Sequence, residues 1–122
     1  MNEFLVEVET RYVERESDPE RERYVFAYTI TISNQGDLPG QLLNRHWFVT
    51  DAKNDVQEVQ GPGVVGEQPR IEPGHAFRYT SAAVLTTPVG SMHGGYQFRR
   101  DDDSLFDVPI PAFSLSVPNL VH

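Results

Sequence analysis

The sequence predicts an all-β chain, two antiparallel sheets packed as a sandwich. No stretch keeps a helical period of apolar residues over three turns. Short runs of alternating apolar and polar side chains recur, and clusters of Gly, Pro, Asn and Asp separate them. Such alternation belongs to half-buried strands and such clusters to turns. Strand runs with no helices between them close into a sandwich or barrel.

Residues 4–13 alternate, with Phe4, Val6, Val8, Thr10 and Tyr12 on one face and Leu5, Glu7, Glu9 and Arg11 mostly towards water. Residues 14–23 are charged and carry Pro19, which reads as an exposed connection. Residues 24–33 are the strongest strand: Tyr24, Phe26, Tyr28, Ile30 and Ile32 share a face, and aromatic and β-branched residues suit a pleated surface. Asn34-Gln35-Gly36 and Pro39-Gly40 are turns. In residues 42–50, Leu43, Trp47 and Val49 share a parity, and Trp47, the sole tryptophan, should anchor the core. A turn at Lys53-Asn54-Asp55 leads to a short strand over 56–59.

Residues 61–74 show no periodicity and read as a structureless loop. Residues 76–81 form a strand with Phe77 and Tyr79 on one side, and 87–90 a turn. Met92, Gly94, Tyr96 and Phe98 alternate, and Gly94-Gly95 suggests a bulge or a close backbone approach. Residues 101–104 close a hairpin into runs 105–110 and 112–117, where Pro109 and Pro111 demand an edge or a bend. A central Trp-bearing strand and a late Tyr-bearing strand favour an immunoglobulin/fibronectin type III-like antiparallel sandwich.

A chain of 122 residues suits one domain and can bury a core without staples. It has no cysteine, which excludes disulfides, thiolate metal sites and a Cys nucleophile and fits a reducing compartment. Ten basic residues against 18 acidic ones give a net charge of −8. That charge repels nucleic-acid phosphates and anionic membranes. With no basic, apolar leader visible at its start and no bilayer-length apolar run, the expected address is the cytoplasm.

Gly61, Gly63 and Gly66 spell G-x-G-x-x-G, the spacing of a phosphate cradle. That motif must follow a strand and open a helix, and Pro69 and Pro73 forbid the helix. A rigid surface loop is the better reading. No nucleophile–base pair and no G-x-S-x-G elbow stands out, so no catalytic residue is assigned. His46, His75, His93 and His122 lack any ligand spacing, and Asp101-Asp102-Asp103 reads as a solvated hairpin tip, so neither metal nor cofactor is assigned. Arg45, Arg70 and Arg78 would bind an anion only if they converged.

Several stretches together resemble the ApaG (CorD) family. They are Tyr24-Val25-Phe26-Ala27-Tyr28 through Ser33-Asn34, Leu43-Asn44-Arg45-His46-Trp47, and Glu58-Val59 through Gly61-Pro62-Gly63-Val64-Val65-Gly66-Glu67-Gln68-Pro69. Pro73-Gly74, Phe77-Arg78-Tyr79-Thr80-Ser81, the turn from Pro88 to Met92, and Phe106-Asp107-Val108-Pro109-Ile110-Pro111 continue the likeness. The resemblance implies a single domain over residues 1–122, with an N-terminal strand and charged connection over 1–23 and the family core over 24–118. It also implies a small bacterial cytosolic protein with a fibronectin type III-like sandwich, linked to cobalt resistance and magnesium efflux. Related domains occur in an F-box subunit of a ubiquitin ligase and in a DNA polymerase delta-interacting protein, where the domain looks like a protein-binding module.

The expected function is therefore a non-catalytic, protein-interaction module, monomeric or homodimeric, with an unidentified protein partner. The expected binding loop is Gly61, Gly63, Val64, Val65, Gly66, Gln68 and Arg70, with Val64, Val65, Gln68 and Arg70 displayed to the partner. A divalent-cation binder is the alternative, and a phosphate or nucleotide binder through residues 61–66 is a weaker one.

Overall fold

The structure is a computed structural model that describes residues 3–118. His122, one of the four histidines, lies outside them. Eight strands form two sheets: β1 (Phe4–Tyr12), β2 (Tyr24–Asn34), β3 (Gly40–Asp51), β4 (Val56–Pro62), β5 (Arg70–Ile71), β6 (Ala76–Leu85), β7 (Val89–Arg99) and β8 (Leu105–Ser116). One sheet runs β1-β2-β6. The other runs β4-β3-β7-β8, with β5 paired to the start of β3, and every pairing is antiparallel. The only helical turns among the described residues are two 3-10 turns, Glu14–Glu16 and Pro19–Arg21, both in the charged connection.

The core lies between the sheets. Phe26, Tyr28, Ile30 and Ile32 of β2 face Leu42 and Trp47 of β3, Tyr96 and Phe98 of β7, and Val108, Ile110 and Leu115 of β8. Trp47 is buried, as expected. Tyr28 approaches it edge-on at 5.3 Å between ring centroids, and Phe113 does so at 5.9 Å. On one side of the sandwich β1 closes against β8. There Phe4 packs on Phe98 at 4.8 Å, and the Arg100 guanidinium covers Phe106 at 4.2 Å. On the other side the edge strands β4 and β6 leave a crevice.

Four expectations need correction. The face predicted for Leu43, Trp47 and Val49 breaks at Leu43. The β3–β7 register shifts between Leu42 and Asn44, so Leu43 is the extra residue of a bulge and Leu42 takes the core position. Runs 105–110 and 112–117 are one strand. Its register against β7 slips between Met92 and Gly94, so Pro111 sits at the bulge and the core face passes from Val108 and Ile110 to Phe113 and Leu115. The strand expected over 76–81 continues to Leu85. Finally, residues 61–74 are not structureless: β4 runs through Pro62, a tight hairpin joins Val64 to Glu67, and β5 follows.

Candidate functional site

The chain from Gly61 to Gly74 is built outward from two anchors. The first is the β3 bulge. The Leu43 carbonyl accepts the Gly63 N–H at 2.8 Å and the Gln68 side-chain amide at 2.9 Å. Leu42 N–H donates to the Pro69 carbonyl at 2.9 Å. A bulge exposes backbone groups that the ladder leaves unpaired, and here the loop uses them. The second anchor is Asn34, buried at the end of β2. Its amide donates to the carbonyls of Leu38 and Ile71, and its backbone carbonyl accepts the Gly74 N–H at 2.9 Å.

Between the anchors the chain turns at Val65-Gly66. Val64 and Glu67 exchange backbone hydrogen bonds of 2.8 and 2.9 Å, and both central residues have positive φ, +43° at Val65 and +80° at Gly66. Those are the signs of a type I′ turn, which favours Asn-Gly. Gly63 also has positive φ, and a Cβ there would lie 2.4 Å from the Glu67 carbonyl oxygen. The glycine pattern therefore serves a hairpin. The N–H groups of Gly63, Val64 and Glu67 are all spent on protein carbonyls, and a two-residue strand follows where a phosphate cradle needs a helix.

The two valines of this hairpin have opposite fates. Val64 is 1% exposed and joins the main core, which corrects the expectation that it is displayed. Val65 is 54% exposed and left-handed, an uncommon conformation for a β-branched residue. Gln68 is exposed, but its amide is tied to Leu43. Arg70 is exposed and neutralised. It donates from both terminal nitrogens to Asp101, and from Nε to Glu72 at 2.7 Å. Arg70 in turn holds the Asp101 carboxyl below the usual carboxylate range. The three arginines do not converge, since Arg78 pairs with Glu9 at 3.3 Å on the other sheet.

Arg45 is half-buried and turned towards the core side of β3. It shares the parity of Trp47, and its Nη1 donates to the carbonyls of Pro62 at 2.9 Å and Gly63 at 3.0 Å. Gly61 gives it room, because a Cβ there would meet the guanidinium at 3.0–3.2 Å. Beside Arg45 lie three tyrosines. The hydroxyls of Tyr79 and Tyr96 meet at 2.5 Å, and burial pushes the phenols of Tyr28, Tyr79 and Tyr96 above the ordinary 10.0. They stay neutral at physiological pH.

On the outer face of the larger sheet His93 stacks on Phe48 at 5.0 Å between centroids, and His46 lies tilted against Phe48 at 4.5 Å. His46 bonds Glu58 at 2.6 Å. His75 lies exposed where the loop enters β6. Among the described residues no three His, Asp or Glu side chains are grouped to hold a metal ion, and no helix is long and apolar enough to cross a membrane.

Comparison with known proteins gives a consistent set of relatives. The family model described as the ApaG domain matches residues 14–100. A protein named ApaG from Acidithiobacillus ferrooxidans is 55% identical, over 98% of this chain and 94% of its own. ApaG from Azoarcus sp. is also 55% identical, over 98% and 95%. A crystal structure from Bordetella pertussis bearing the name ApaA superposes with a TM-score of 0.93 at 47% identity, over 96% of this chain and 95% of that one.

Proposed function

This chain belongs to the ApaG family, and from that premise we propose that it is a non-catalytic, protein-binding module of the cytoplasm whose contact surface is centred on the Val65 hairpin. The observation that carries this reading is Val65 itself. A left-handed conformation costs an L-residue about 1–2 kcal/mol, and an apolar side chain more than half exposed gains little from its own fold. Strain held by a surrounding framework is common at recognition sites. Here the framework is the pair of anchors at Leu43 and Asn34.

Among the described residues the polar contacts of this hairpin are to backbone carbonyls of its own framework, which suits binding more than catalysis. The link to cobalt resistance and magnesium efflux that the resemblance implies is then exerted through a partner. His46 and Glu58 offer two donors, where a selective divalent site needs more. The absence of cysteine suits a reducing compartment.

The test is cross-linking capture in the source cell, comparing the wild type with Val65→Asn. Asn is at home in the left-handed turn, so the variant keeps the fold and removes the displayed apolar group. Partners held by this surface should disappear from the variant's capture. An unchanged partner set would move the contact surface elsewhere.

A further inference from the structure

We propose that the crevice between β4 and β6 is a binding site for a small organic carboxylate, its charged end on Arg45 and its apolar stem along Trp47, Val49, Val59 and Met92. The crevice encloses about 350 Å³, within the range of small-ligand sites. Its walls come from both sheets. Arg45, Trp47, Val49 and Met92 line it from the β3–β7 side, Val59 and Gln57 from β4, and Tyr28, Ser81 and Ala83 from β2 and β6.

Two features select the charge. Among the described residues no carboxylate lines the crevice, although the chain carries 18 acidic residues. Arg45 is half-buried, and no Asp or Glu among the described residues lies within ion-pair distance of it. A guanidinium carries five N–H donors. Among the described residues both hydrogen bonds that Arg45 makes leave from Nη1, so Nε and Nη2 remain for a ligand. A guanidinium withdrawn from water gains most from an anion that its remaining N–H groups can bond directly.

Two further features select a monoanion on an apolar stem. Among the described residues the crevice holds one cation, and the other polar side chains are neutral: Tyr28, Ser81, Gln57 and the indole N–H of Trp47. A phosphate dianion would bring a second negative charge that no second cation meets. Val49, Val59, Met92 and the ring face of Trp47 offer little to hydrogen-bond a polar stem but gain from burying an alkyl one.

Trp47 is the sole tryptophan and lines the crevice, so its fluorescence reads occupancy directly. Titrating the full chain with sodium hexanoate at constant ionic strength should give a saturable change with a roughly millimolar Kd, the strength one ion pair and a short stem provide. Hexanamide and inorganic phosphate should each bind at least about tenfold more weakly, because one lacks the charge and the other the stem. Arg45→Gln should weaken hexanoate by about tenfold or more. Arg45 also holds the loop carbonyls, so a second variant, Ala83→Phe, fills the crevice while keeping the Arg45 side chain and should abolish the change. The proposal is overturned by no saturable response in the wild type, by hexanamide or phosphate matching hexanoate, or by either variant binding as the wild type does.

Discussion

The hydroxyls of Tyr79 and Tyr96 meet at 2.5 Å between the two sheets, Tyr79 reaching from β6 and Tyr96 from β7. Both rings are buried. The pair is a polar tie across the core, one hydroxyl donating and the other accepting. Tyr96→Phe removes one member and leaves the buried Tyr79 hydroxyl without its partner. The expected loss is about 1–3 kcal/mol, the penalty of an orphaned buried polar group. Urea unfolding followed by circular dichroism measures it.

The same tyrosines set an alkaline limit. Burial raises the folded-state pKa of Tyr28, Tyr79 and Tyr96 above 10.0. Above pH 10 the unfolded chain releases protons that the folded chain keeps, so the unfolded state gains. Stability should therefore be flat in these groups below about pH 9 and fall as pH rises through 10 and beyond. Each proton contributes a slope of about 1.4 kcal/mol per pH unit. The urea midpoint measured from pH 8 to 11 should show that fall. Tyr96→Phe should make it shallower by one proton's worth.

Trp47→Ala should destabilise by about 3–5 kcal/mol, from lost burial and the cavity left beside Tyr28 and Phe113. Thermal melting checks it, and an unchanged midpoint would contradict the position of Trp47 between the sheets.

The position of Trp47 was legible because a lone Trp on an alternating run has one sensible place. Phe113 as its second neighbour was not, because the β8 bulge at Pro111 reverses which parity faces inward. The same physics hid Leu42: one extra residue at Leu43 moves the core face by one position. The prolines at 109 and 111 did signal an irregular strand, but no residue type announces a bulge at Leu43. Arg45 was findable. Its parity with Trp47 aimed it inward, while its charge suggested water. Val64 was not findable by period, since a single core residue between two turn glycines has none. The glycines themselves were read correctly as turn formers. What the sequence lacked was the long-range partner, the Leu43 carbonyl, that makes the loop rigid.

Gly63→Ala should be among the more damaging single changes in the loop. Its φ is +65°, and the new Cβ would lie 2.4 Å from the Glu67 carbonyl oxygen, a backbone atom that the turn fixes. Left-handed strain alone costs about 1–2 kcal/mol, and the clash adds to it. Gly66→Ala has open space around it, so its penalty should stop at the strain. Melting temperatures of the two variants should fall in that order.

Neighbouring valines give the sharpest test of the hairpin. Val64 points into the core at 1% exposure, and Val65 points out at 54%. Val64→Ala removes buried methyl groups next to a packed core and should cost about 2 kcal/mol or more. Val65→Asn creates Asn-Gly at a turn whose two central residues both have positive φ. It relieves a β-branched residue of a conformation it resists, and should stabilise by about 0.5–1 kcal/mol. The two substitutions are adjacent, both remove a valine, and they should move the urea midpoint in opposite directions. A displayed recognition loop without the hairpin would give two small, like effects. A simple plug would give two large losses. Opposite signs are expected only if one valine holds the loop to the core while the other is held out in a conformation it resists.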